Sequence, residues 1–142
     1  MIYDIVSERH APPYKINRPQ DIYAVLKRYA NARTEKFLCL TLDGAHQVIK
    51  ANIISIGLVN RTVVHPREVF YPAIIQNACA IIISHNHPSG RLDPSPEDRD
   101  ITDRLRQASE ILGIALLDHV IIGRTGYFSF VEHGLLTPPT PD

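Results

Sequence analysis

The sequence has no excess of either charge, no long apolar run and only two cysteines. Lysine plus arginine and aspartate plus glutamate each number 15 in a chain of 142 residues, so no overall field draws it to a polyanion such as nucleic acid. No stretch reaches the roughly 18 to 20 apolar residues that a membrane-spanning helix needs. The N-terminus, Met1 to His10, lacks the basic-then-apolar order of a secretory signal. Cys39 and Cys79 stand singly inside apolar, strand-like runs, where a cysteine usually acts as a small buried hydrophobe. Neither belongs to a CxxC pair of the kind that closes a structural zinc site, and a reducing, cytoplasmic setting without a disulfide is expected. Repeats, low-complexity blocks and internal linkers are also missing, so the length fits one domain with its own core.

Apolar periodicity supplies the elements of that domain. Ile22, Val25, Leu26 and Tyr29 predict an amphipathic helix over Arg18 to Ala32. Phe37 to Leu42 and Val48 to Gly57 read as a hairpin turning at Asp43-Gly44. A second helix is expected from Pro66 to Ala78, with Val69, Phe70, Ala73, Ile74 and Ala78 on its buried side. Pro72 within it marks either a kink or a shorter helix. Ala80 to Ser84 is a continuous apolar run, the pattern of a strand covered on both faces. Pro96 to Leu112 carries Ile101, Leu105, Ala108, Ile111 and Leu112 on one helical face and stops at Gly113. Ala115 to Ile122 and Tyr127 to Val131 complete a last hairpin around Gly123 to Gly126. Hairpins supply much of the pairing, so the expected class is α/β, a mixed sheet flanked by helices. The terminal Thr137 to Asp142, rich in proline, is expected to form a mobile tail.

The chemistry concentrates between the expected third strand and third helix. Residues i and i+2 of a strand point to the same face, so His85 and His87 can aim at one ion. Pro88, Gly90 and Pro94 then break the strand, and Ser95-Pro96-Glu97-Asp98 reads as an N-cap, a first-turn proline and an acidic first turn. That turn brings Asp98 back toward the histidines. Two imidazoles and one carboxylate are the three protein ligands of a catalytic zinc, which keeps its fourth position open. Ser95 and Asp98 alone also make an ordinary capping box, and that reading stands beside the metal one.

The spacing His85-x-His87, seven residues, Ser95, two residues, Asp98 is similar to the signature of the JAMM (MPN-plus) zinc metallopeptidases. The wording His87-Pro88-Ser89-Gly90 through Pro94-Ser95, with Val64-His65-Pro66-Arg67-Glu68-Val69 upstream and Leu117-Asp118-His119 downstream, resembles more narrowly its RadC-like branch. The likeness spans residues 15–136, leaving 1–14 as an N-terminal extension. It implies a JAMM/MPN-like, cytidine-deaminase-like sandwich and one Zn2+ per chain on His85, His87 and Asp98. It further implies that Glu35, at the start of a strand after the first helix, is the carboxylate that moves the proton of the attacking water. Ser95 would then assist the oxyanion as well as cap the helix.

The resulting expectation is a zinc-dependent hydrolase, a metallopeptidase or isopeptidase, acting on a peptide or protein. Two other readings stay open. RadC-like proteins carry a DNA-repair name, so an accessory role in repair or on a mobile element is one. Their N-terminal helix-hairpin-helix segment is expected to be missing here, since only about 15 residues precede the first helix. A zinc-dependent nuclease is the other, although such sites often use two metals. Orienting a ligand imidazole is a lesser alternative for Asp118, which is expected, with the histidines of this wording, to be structural or to line the cleft. His65 and His119 are expected to be structural or to line the cleft, and His10, His46 and His133 to lie at the surface.

Overall fold

The computed structural model describes residues 14–31, 33–57 and 64–139. Apart from Tyr14, the expected N-terminal extension lies outside them, as do His10 and the last three residues of the expected tail. Helix α1 (Pro19–Leu26) precedes strands β1 (Glu35–Leu42) and β2 (Val48–Gly57). Helix α2 (Pro66–Ile75), strand β3 (Ala80–Asn86), helix α3 (Pro96–Leu112), and strands β4 (Ala115–Ile122) and β5 (Tyr127–Ser129) complete the order. The five strands form one sheet in the order β2-β1-β3-β4-β5. Only β3 and β4 run parallel, joined by the crossover through α3; the other pairs are antiparallel. The expected mixed sheet is therefore present. Among the described residues no helix is long and apolar enough to cross a membrane.

Apolar residues leave β3 in both directions, which explains its unbroken hydrophobic run. Ile81 and Ile83 join Phe37, Cys39, Val69, Phe70, Ile101 and Leu105 in a core under α2 and α3. Ile82 and Ala80 join Leu38, Leu40, Val120, Ile22 and Leu26 in a second core under α1. Every residue of β3 is buried, through to Asn86. The strand thus runs two residues past Ser84 and takes His85 into the sheet.

Several boundaries differ from the periodicity. The first helix tightens into a 3-10 turn at Lys27–Tyr29. In α2, Pro72 sits near the end of a shortened helix. Asn77 takes a left-handed conformation, with φ of 54°, and the Ala78 N–H reaches back to the Ala73 carbonyl at 2.9 Å, a helix-ending motif. Ile74, Ile111 and Leu112 were expected to be core residues but are exposed, Ile111 at 85%; on α3 the buried face runs through Asp98, Ile101, Thr102, Leu105 and Ser109, which turns Ile111 outward. Cys79 is likewise exposed rather than buried, in the link between α2 and β3, while Cys39 is buried; both thiols are free. Strand β5 stops at Ser129, two residues early, where the chain enters a turn.

Candidate metal centre

The antiparallel register of β1 on β3 pairs Phe37 with His85, so Glu35, at the start of β1, comes beside the end of β3. Asn86, between the histidines, faces the other way and grips β1. Its side-chain oxygen accepts from the Lys36 N–H at 2.8 Å, and its amide donates to the Thr34 carbonyl at 3.2 Å. The backbone is therefore held on both sides of Glu35. One ligand atom each from Glu35, His85 and His87 lie within 4.8 Å of one another, so these three side chains could hold a metal ion.

The loop after β3 closes the site from the other side. Gly90, with φ of +84°, allows the tight turn in which its N–H bonds the His87 carbonyl at 2.8 Å. Leu92 rests against Gly123 so closely that a Cβ there would come within 2.6 Å of it. The loop then delivers Ser95 and Asp98 as a reciprocal cap. The Ser95 N–H donates to Asp98 Oδ2 at 2.8 Å, and the Asp98 N–H donates to Ser95 Oγ at 3.1 Å.

Asp98 is fully buried and faces both histidines. Its Oδ1 lies 3.3 Å from His85 Nε2 and its Oδ2 3.3 Å from His87 Nε2, while the two Nε2 atoms are 2.9 Å apart. Burial by itself would push the carboxyl up, but hydrogen bonds from His85 and His87, the charge of His85 and the Ser95 N–H outweigh it. Asp98 is held well below the usual carboxylate range.

Two imidazole nitrogens and a carboxylate are donors of the type that zinc takes. Hydrogen bonds behind the rings fix how they face. A carbonyl only accepts, so the 2.8 Å contact of His87 Nδ1 with the Arg91 carbonyl fixes the His87 proton on Nδ1. In a neutral ring Nε2 then carries the lone pair that a metal needs. His85 Nδ1 lies 2.8 Å from His119 Nε2. His119 Nδ1 meets Thr102 Oγ1 at 2.5 Å, and Thr102 Oγ1 donates to the Asp98 carbonyl at 2.6 Å. His85 stacks on Phe37 and His119 on Phe130.

The structure thus brings His85, His87, Asp98 and Glu35 together and places Ser95 in the cap beneath them. Asn86 and Thr102 are the residues that sequence reasoning missed around this group, while His119, expected to be structural or to line the cleft, stands behind His85. A readable signal existed for Thr102, four residues after Asp98 and so on the same face of α3. Asp118 does not orient a ligand imidazole. It accepts from the Ser129 hydroxyl and from the His119 and Val131 N–H groups, at 2.5, 2.7 and 3.1 Å, and ties β4 to the turn after β5. Burial raises its pKa in spite of these bonds. His65 precedes α2, where its N–H donates to the Glu68 carboxylate at 3.1 Å. His46 is in the β1–β2 turn, and exposed His133 stacks on Phe128.

A family model described as RadC-like JAB domain matches residues 16–135. Among curated proteins, one named UPF0758 protein from Rubrobacter xylanophilus is 48% identical over 122 residues, covering 85% of this chain and 53% of that protein. Proteins of the same name from Trichlorobacter lovleyi and Thermotoga maritima are 56% and 45% identical, over 73% and 87% of this chain and 45% and 56% of their own lengths. The chain therefore spans about half the length of the curated relatives it matches.

Proposed function

The chain belongs to the RadC-like JAB domain family, and from that premise we propose that it is a zinc-dependent hydrolase cleaving amide bonds in a peptide or protein. The observation that carries this reading is the convergence of His85 Nε2, His87 Nε2 and the Asp98 carboxylate, spaced 2.9–3.3 Å apart, with the Glu35 carboxylate beside them. His85, His87 and Asp98 would hold the ion. Bound zinc would lower the pKa of a water to about 7 and polarise a carbonyl.

The remaining work falls to side chains of this protein. Glu35, held by Asn86 through the backbone on either side, takes the proton of the attacking water and passes it to the leaving amine. Ser95 Oγ accepts from Asp98 N–H, which leaves its own proton to be donated to the developing oxyanion. The two free thiols suit a reducing cytoplasm. Balanced charge gives no support to a DNA-binding role, and a donor set for one ion among the described residues favours the amidase over a two-metal phosphoesterase.

Elemental analysis of protein purified without chelator should find about one zinc per chain. The loaded protein should then cleave members of a panel of peptides and isopeptide conjugates and leave DNA and RNA intact. Cleavage of nucleic acid alone would replace the amidase reading with the nuclease one.

Ser95→Ala separates cap from catalyst. Loss of the cap should cost roughly 1 kcal/mol in a thermal melt. Loss of the oxyanion contact should lower kcat by about a hundredfold with little change in KM, since that contact strengthens in the transition state. A melting shift with unchanged kcat would restrict Ser95 to the cap.

A further inference from the structure

The contacts behind His85 form a directed chain whose proton positions can be assigned one after another. Thr102 has a single hydroxyl proton, and the Asp98 carbonyl, which can only accept, takes it at 2.6 Å. The contact between Thr102 Oγ1 and His119 Nδ1 must then be donated by the ring, so His119 carries its proton on Nδ1. That ring, packed against Phe37 and Phe130, presents its other nitrogen, Nε2, to His85 Nδ1 at 2.8 Å. A His85 that ligates a metal through Nε2 carries its proton on Nδ1 and donates it along this contact. Its Nε2 is thereby directed at His87 and Asp98.

We infer that His119 is a positioning residue that fixes the metal-binding tautomer of His85, with Thr102 fixing His119 in turn. The chain closes on itself. It starts at the backbone carbonyl of Asp98 on α3, crosses to β4 at His119, reaches β3 at His85 and returns to the Asp98 carboxylate. Two ligands from different elements are thereby oriented by one set of bonds, and the His119 ring is packed on both sides as such a strut requires. A buried partner that sets ring orientation and tautomer raises the metal affinity of its ligand. The inference rests on the reading of His85 as a ligand.

The test uses the full chain and zinc alone. His119→Phe keeps ring volume and stacking on Phe130 but removes the acceptor. His119→Gln returns an acceptor near the position of Nε2. Zinc dissociation constants by chelator competition should weaken about 10- to 100-fold in the Phe variant and recover much of that loss in the Gln variant. Ring nitrogen NMR of the zinc-loaded wild type should place the His85 proton on Nδ1, with Nε2 on the metal. Equal zinc affinity in the Phe variant and the wild type would overturn the inference, as would a His85 bound to zinc through Nδ1. If the Phe variant fails to fold, the Gln variant and the wild-type tautomer still decide it. A wild type that binds no zinc defeats the metal reading and the inference with it, whereas zinc bound equally by all three proteins defeats the inference alone.

Discussion

His87→Ala is expected to leave the purified protein without stoichiometric zinc and to weaken zinc affinity by more than about a hundredfold. Removal of a supporting group costs roughly 10- to 100-fold, and a direct ligand should cost more. Two of the three donor atoms in the proposed set belong to side chains that also pack in the interior. His85 is fully buried against Phe37, and Asp98 is fully buried within the cap of α3. His87 is half-buried just beyond the end of β3, so its truncation opens little space and the fold should be kept. Chelator competition with a melting curve on the metal-free protein makes the measurement. Full zinc occupancy in this variant would strike His87 from the ligand set.

Glu35→Gln is expected to lower amide hydrolysis by about a hundredfold or more while zinc stays bound. The amide keeps the size of the side chain and removes the base. The three donors His85, His87 and Asp98 already make the protein share of an open catalytic site, and Glu35 lies within 4.8 Å of the histidine nitrogens, near enough to share a water with them. Asn86 pins the Lys36 N–H and the Thr34 carbonyl, so the backbone at Glu35 should not shift with the substitution. Zinc content and single-turnover rates on the same preparation check both halves. Loss of zinc would make Glu35 a ligand, in the arrangement where it joins the two histidines directly.

The sequence was most informative where one stretch of chain carries the whole signal. His85 and His87 were read onto one strand face, and Ser95 to Asp98 announces a helix start; both readings depend on residues within fourteen positions of one another. In the structure Ser95 caps α3 as read, while His87 lies just past the end of β3 with its ring still beside that of His85. Glu35 was located only through likeness to a family. Fifty residues separate it from His85, and no local pattern says that β1 will lie antiparallel beside β3 with Phe37 opposite His85. Helix ends were misjudged for a related reason. Ile74, Ile111 and Leu112 continue an apolar pattern, but packing decides which face of each helix is covered, and on α3 that face runs through Ile101, Thr102, Leu105 and Ser109 and leaves Ile111 outside.

By itself the sequence determined the class of fold and the donor types, because hydrophobic period, turn residues and ligand spacing are local properties of a chain. Which residue stands behind His85 was decided by the tertiary structure alone. Strict alternation along β4 from Leu116, which faces α3, would turn Asp118 toward the site and His119 away. Instead the register between β3 and β4 slips, pairing Ile81 with Leu116 but Ile82 with Asp118. The extra residue, Leu117, leaves Leu117 and Asp118 on the α1 side and turns His119 to the face of His85. A bulge reverses the facing of every residue that follows it. Side-chain direction in a strand is fixed by its pairing, and the pairing of β4 is set by a neighbour more than thirty residues away.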